Sequence, residues 1–343
     1  MAISKKELLA GLVERVQRIL ESGGLPPWQK PWNPEFGDHS APFNPVTGRA
    51  YAGLNRLDLA VSSALAGYAD PRWMGYGQAA AQGWRVRQGE RASYIHLPVE
   101  IHREADRSGV GTDPEASQDA RSGRTLLVFK RVPVFNAAQI DGLPPLERVP
   151  PEQHPSRSGE LDAIASHMGV PIKELPCDRA VYVPARDRIE LPPRSAFPDQ
   201  YGYDSTRAHE LAHATGHAKR LNRDLGGAFG TARYAAEEVT AEIGSFLMCQ
   251  ELAIPYQGGN PDLTADQHAA YLASWATALG QDPKVLGQAI NEGARAATYL
   301  SRQLTQAREQ ALTPERDEPP PPPRGRDAGV GRPDSDIALG PER

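Results

Sequence analysis

The stretch "STRAHELAHATGH", residues 205–217, concentrates three histidines and a glutamate in less than four turns of helix. In an α-helix positions i and i+4 stack on one face, so His209 and His213 present their imidazoles to one point in space. Two such rings about 2 Å away can hold a Zn²⁺ ion, and Glu210 between them then stands beside an open coordination position. A pair of histidines does not complete a site, so this helix needs a partner element that carries a further ligand.

The spacing is the His-Glu-x-x-His pattern of zinc metallopeptidases, in which the glutamate takes a proton from a water held at the metal. Three fixed positions recur by accident in a chain of this length with roughly a 4% chance, so the motif must be read with its surroundings. "YAAEEVTAEIGSFLMC", residues 234–249, supplies them. On a helix Glu238 and Glu242 share a face, which suits Glu238 as third ligand and Glu242 as the carboxylate that braces a metal-binding ring, the arrangement of thermolysin-like zincins. Glu237 stays open as the alternative ligand, because adjacent helical residues point about 100° apart. The third histidine of a metzincin would fall at Lys219, so His217 is read as a supporting residue near the helix end, where a positive charge suits the dipole. Two competing readings are a helix with histidines and no metal, and a closed structural site. The latter usually takes four cysteine or histidine ligands.

The chain holds 343 residues and two cysteines, Cys177 and Cys249, which argues against a disulfide framework and leaves metal binding to nitrogen and oxygen. No apolar run approaches the roughly 20 residues that span a bilayer, and the N-terminus is an amphipathic helix pattern instead of a signal peptide, so no membrane partner and a cytoplasmic location are expected. Net charge is −5, with 17 Lys and Arg against 14 Asp and Glu in residues 1–140 and 16 against 22 in residues 141–310.

Periodicity predicts helices over 4–22 and 54–66, then strands in "ASYIHLPVEIH" and "TLLVFKRVPVF" around a polar insertion at 105–123 that reads as flexible. A proline-rich linker at 141–158 separates the first domain, 1–140, from a second, 159–311. The second domain opens with a short helix, continues as two strands in "RAVYVPARDRIELP" turned around residues 185–187, and then runs as helices near 203–219, 233–252, 264–279 and 282–310. Residues 312–343 form a proline-rich tail expected to be disordered. The fold class is α+β: an α+β domain followed by a mainly helical domain with a small β-sheet.

In the first domain aromatics alternate with basic and amide residues. Trp28, Lys30, Tyr51, Asn55, Arg56, Trp84, Arg85, Arg87 and Arg91 are the mixture that single-stranded nucleic acid requires, rings for bases and cations for phosphates.

"NPVTGRAYAGLN", "QGWRVRQGERA" and "VPVFNAAQIDGL" resemble blocks of the N-terminal domain of ArdC-type antirestriction proteins, also found in TraC-type plasmid primases. "ARDRIELP", "HELAHATGHAKRLNR" and "EEVTAEIGSFL" resemble the zincin-like metallopeptidase domain paired with it. The resemblance covers about residues 5–255. It implies a protein of plasmids or phages whose first domain binds single-stranded DNA and whose second carries zinc on His209, His213 and Glu238 with Glu210 as general base. Such a protein protects incoming DNA from restriction, and a host restriction enzyme or another protein would be its substrate, with strand 188–192 as the edge that pairs it. The alternative is a noncatalytic protein that binds DNA or the restriction enzyme and uses zinc only to hold its fold. The primase catalytic domain is absent from the resemblance.

Overall fold

The computed structural model describes residues 2–29, 41–103, 124–146, 157–227, 231–255 and 282–312. Lys30, the 105–123 insertion, most of the proline-rich linker, the 264–279 helix and the tail from 313 lie outside the described residues.

The first helix, α1 (Lys5–Glu21), starts where Ser4 accepts the Glu7 amide at 3.2 Å while the Glu7 carboxylate accepts the Ser4 amide at 2.7 Å. This reciprocal cap satisfies two of the amides that a helix start leaves without partners. The apolar face, Leu8, Leu12, Val13, Val16 and Ile19, is buried. Beyond it the first domain is organised on one long strand, β7 (Arg124–Asn136). Along one edge β7 pairs antiparallel with β6 (Ser93–Arg103), from Ser93↔Val134 to Arg103↔Arg124. It also pairs with β1 (Ala2–Ile3) and β4 (Trp73–Met74), in the order β1-β7-β4. Three short strands and a short helix complete the domain: β2 (Phe43–Asn44), β3 (Arg49–Ala50), β5 (Arg85–Val86) and α3 (Tyr76–Ala81), with β8 (Ile140–Asp141) pairing β5. The outer edge of β6 is closed by a side chain of α2 (Gly53–Ala66). Asn55 donates to the His96 carbonyl at 3.0 Å and accepts the His96 amide at 2.7 Å, so its amide group stands in for a neighbouring strand.

The second domain contains α4 (Ser158–Met168), α5 (Gln200–Ala214), α6 (Ala232–Leu252) and α7 (Pro283–Leu312), with a sheet of β9 (Ile172–Glu174), β10 (Val181–Val183) and β11 (Arg188–Leu191) in the order β10-β11-β9. A tight turn at Pro184–Arg186 joins β10 to β11, with Asp187 at φ 46°. Strand β11 is the central strand, paired on both sides. The 188–192 strand therefore cannot be a free edge for a substrate, and the outer positions belong to β10 and β9.

Two domains do not mean two separate cores. One cluster joins Leu12, Val16, Leu57 and Val61 of α1 and α2 to Val239, Ile243, Leu247 and Ile290 of α6 and α7. The other faces of α6 and α7 share a second cluster with α4, α5 and the small sheet. Close approach of α6 and α7 depends on glycine: a Cβ on Gly293 would lie 2.6 Å from the Ile243 Cβ and 2.9 Å from the Thr240 carbonyl oxygen. Gly293→Val is accordingly expected to destabilise the protein by about 1–3 kcal/mol through overpacking, read as a lowered denaturant midpoint. An unchanged midpoint would mean that the helices separate at no cost.

Candidate functional site

Helix α5 begins at Asp199, whose carboxylate accepts the Gly202 amide at 2.7 Å, and ends at Ala214. It stops short of 219 because the chain folds back: the Thr215 hydroxyl donates to the Ala212 carbonyl at 2.6 Å, and a Cβ on Gly216 would strike Leu225 at 2.6 Å and Arg223 at 3.0 Å. Only a residue without a side chain lets Arg223 return beneath the helix. There Arg223 donates to the Ala212 carbonyl at 2.9 Å, to Thr215 at 2.7 Å and to both oxygens of Glu237 at 2.7 and 3.0 Å.

Two adjacent glutamates on α6 thereby take different tasks. Glu237 contacts Nδ1 of His213 at 3.2 Å and fixes the ring from behind. Glu238 faces the other side of the imidazole pair, its two oxygens each 3.6 Å from one Nε2 of His209 and His213, while those nitrogens lie 3.1 Å apart. Donors about 2 Å from a tetrahedral ion lie roughly 3.3 Å from one another, so this triangle matches one face of such a site. Among the described residues these are the one cluster of three or more His, Cys, Asp or Glu groups able to hold a metal ion. Glu237 thus braces His213, while Glu242 is the carboxylate expected to brace a metal-binding ring. Glu242 lies one turn further along α6 and is 1% exposed.

The charges suit a cation. Burial opposes ionisation of Glu238, yet the field of His213 and a hydrogen bond from His209 hold its pKa at about 2, and Tyr234, one turn earlier on α6, also hydrogen-bonds it. Burial likewise works against charge on His213, but Glu238 and Glu237 raise its pKa to about 9. A bound metal would release that proton. Glu210, the general-base candidate, is buried, and desolvation raises its pKa while the charge of Glu238 adds to the rise. Its Oε2 accepts the backbone N–H of Tyr182 on β10 at 2.5 Å. That bond ties the carboxylate to the edge strand.

His217 lies past the end of α5. Its Nδ1 accepts the Lys219 amide at 3.2 Å and is 3.8 Å from Asp187. Asp187 in turn accepts from Tyr182 at 2.7 Å and from Arg220, which also donates to the Ala214 carbonyl at 2.6 Å. His217, read as a supporting residue near the helix end, thus stands in the polar knot that joins the β10–β11 turn to the end of α5. Arg223 and Tyr182 carried no signal in the sequence, because each acts across a fold-back that no local period describes.

The nucleic-acid candidates divide sharply. Trp28, 1% exposed, is a core residue. Arg56, 5% exposed, donates to the carbonyls of Tyr51 and Leu247 at 2.8 Å each and to Glu251 at 3.0 Å. Asn55 closes β6, the Tyr51 hydroxyl donates to the Trp73 carbonyl at 3.0 Å, and Trp84 packs half-buried against the Met74 cluster. These five are turned inward and do not form the expected DNA groove. Arg85, Arg87 and Arg91 remain exposed. Arg87 is partly engaged by Glu90 at 2.7 Å and the Ala138 carbonyl at 2.5 Å. Beyond them stands a pair absent from the sequence reading: Arg131 on β7 lies 3.9 Å over the ring of Tyr94 on β6, which is 37% exposed.

Two family models match the chain. Residues 6–135 match the family model for the N-terminal domain of anti-restriction factor ArdC, and residues 159–292 match that for a zincin-like metallopeptidase. The metal-free crystal structure of the antirestriction ArdC protein from plasmid R388 superposes with a TM-score of 0.64 at 32% identity, covering 87% of this chain and 98% of that one. Its Mn(II)-bound structure gives 0.60 at 32% identity, over 86% and 97%. Two DNA primases TraC of Escherichia coli are 39% and 36% identical over 88% and 83% of this chain, which spans only 27% and 19% of their lengths. The uncharacterized protein y4eC of Sinorhizobium fredii is 31% identical over 83% of this chain and 88% of its own.

Proposed function

The chain belongs to the family of ArdC-type antirestriction proteins, and from that membership we propose that it binds single-stranded DNA through its first domain and hydrolyses a protein substrate at a zinc centre in its second. The observation that carries the second half is the convergence of His209, His213 and Glu238 with Glu210 alongside. Two imidazoles and one carboxylate favour zinc. A solved relative carries Mn(II), so the ion is a divalent one whose identity the metal content of this protein decides. When bound, such an ion supplies Lewis acidity to a carbonyl and lowers the pKa of a water.

The remaining chemistry belongs to the chain. Glu210, with Oε2 held by Tyr182, has Oε1 for accepting the proton of the attacking water and delivering it to the leaving amine. Strand β10 is an outer strand of the small sheet and reaches the site through Tyr182, so an extended substrate segment would pair along it. On the first domain Arg85, Arg87, Arg91 and the Tyr94–Arg131 pair offer cations and a stacking ring to a DNA strand.

A noncatalytic reading rests on the burial of Glu210. Glu210→Gln separates the two. Hydrolysis predicts unchanged metal content together with a loss of cleavage, and of protection of incoming DNA, by about 10²–10⁴-fold. Full protection by the variant would mean that zinc serves only the fold.

The first and second domains share α6 and α7 as a common wall, and no helix among the described residues is long and apolar enough to cross a membrane.

A further inference from the structure

A cavity of about 400 Å³ opens where α1, α2 and α7 meet, away from the imidazole pair. Lys5 of α1 and Arg295, Tyr299 and Arg302 of α7 line it, together with Gly53 and Leu54 at the start of α2. The α7 residues are spaced i, i+4 and i+7, which gathers them on one helix face. No carboxylate is among the lining residues. Arg295 shares Glu292 at 2.8 Å, whereas neither Lys5 nor Arg302 has an ion-pair partner among the described residues.

The start of α2 adds to this positive field. Ala52 at the N-cap has no side-chain oxygen to accept the first amides, and Gly53 turns the chain into the helix at φ +54°. A Cβ on Gly53 would stand 3.8 Å from Thr298 of α7, so that helix end faces the cationic stripe at close range. Guanidinium and ammonium groups beside free helix amides form the donor set that phosphate takes.

We propose that this cavity seats one phosphate of a single DNA strand at the seam between the two domains. The proposal rests on the reading of the first domain as a single-strand DNA binder. Leu221 and Arg295 also line an adjoining cavity of about 390 Å³ that reaches Glu237, the brace of His213. A strand held at the seam thus adjoins, through Leu221 and Arg295, a cavity lined by the brace of His213.

The test is the salt dependence of binding of a fluorescein-labelled single-stranded oligothymidylate to the full chain. Lys5→Ala/Arg302→Ala should weaken binding roughly tenfold near physiological salt and reduce the slope of log K against log[salt] by about 0.7, the amount that one lost phosphate contact removes on a single strand. Lys173→Ala/Arg179→Ala removes the same charge from the exposed side of the small sheet and should leave the slope unchanged. Arg302→Glu should weaken binding further than Arg302→Ala. Wild-type protein that binds the strand while Lys5→Ala/Arg302→Ala matches it in affinity and slope overturns the site and leaves the DNA reading intact. Equal losses in both double variants reduce the effect to net charge and overturn the site as well. Wild-type protein that does not bind the strand overturns the DNA reading and the site together. Inorganic phosphate that raises the melting temperature of wild type but not of the variant, with oligonucleotide affinity unchanged between them, would make the cavity a small-anion site and overturn its role with DNA.

Discussion

Glu238→Ala is expected to abolish retention of a divalent ion through gel filtration, whereas Glu237→Gln should retain it with affinity lowered about 10–100-fold. The two residues are neighbours on one helix turn, yet Glu238 faces both Nε2 atoms and Glu237 meets the opposite nitrogen of His213. Removing the former deletes a donor, and the remaining pair of imidazoles cannot close the coordination face. Removing the charge of the latter leaves every donor in place but loosens the ring that presents one of them. Glutamine is the informative substitution there, because alanine would strand the buried Arg223 without its carboxylate partner. Metal titration against a competing chelator separates the outcomes. A Glu237→Gln variant that loses metal as completely as Glu238→Ala would exchange the assignments of ligand and brace.

Arg56→Met should destabilise the protein by about 2–4 kcal/mol while the folded fraction binds single-stranded DNA as wild type does. Arg56 crosses from α2 to α6, and its loss takes a charged donor from the carbonyls of Tyr51 and Leu247. Glu251 is less affected, being partly exposed and bonded to Ser301 at 2.7 Å. Arg91→Met, an exposed change, should stay within about 0.5 kcal/mol of wild type and act on DNA affinity instead. Paired denaturation curves and binding isotherms check both, and an Arg56→Met protein of normal stability with weakened DNA binding would return Arg56 to the nucleic-acid face.

Arg56 and Arg85 look alike in composition, and the contrast shows where sequence reading stops. A helical period says which residues of α2 share a face, but what covers that face depends on α1 and α6 packing from other parts of the chain. The proline-rich segment reads as a border between domains. It could not reveal that α6 and α7 each carry two apolar faces, one for each domain, since an apolar face names no partner. Deletion of residues 1–140 would therefore expose Val239, Ile243 and Leu247 as well as remove a binding surface.

The amino-acid order alone determined that His209 and His213 share a helix face with Glu210 between them, because the 3.6-residue turn is set by the backbone itself. It also determined that a second helix with paired glutamates follows. Which glutamate faces the imidazole pair was decided only by the rotation of α6 against its neighbours, set where Gly244 meets Ala212 of α5 and where Gly293 of α7 admits Ile243. The central place of β11 in its sheet, the return of Arg223 beneath α5 and the inward turn of Trp28 and Arg56 were likewise tertiary decisions. Each depends on contacts between residues far apart in the chain, and the local periodicities that shape single elements carry no information about them.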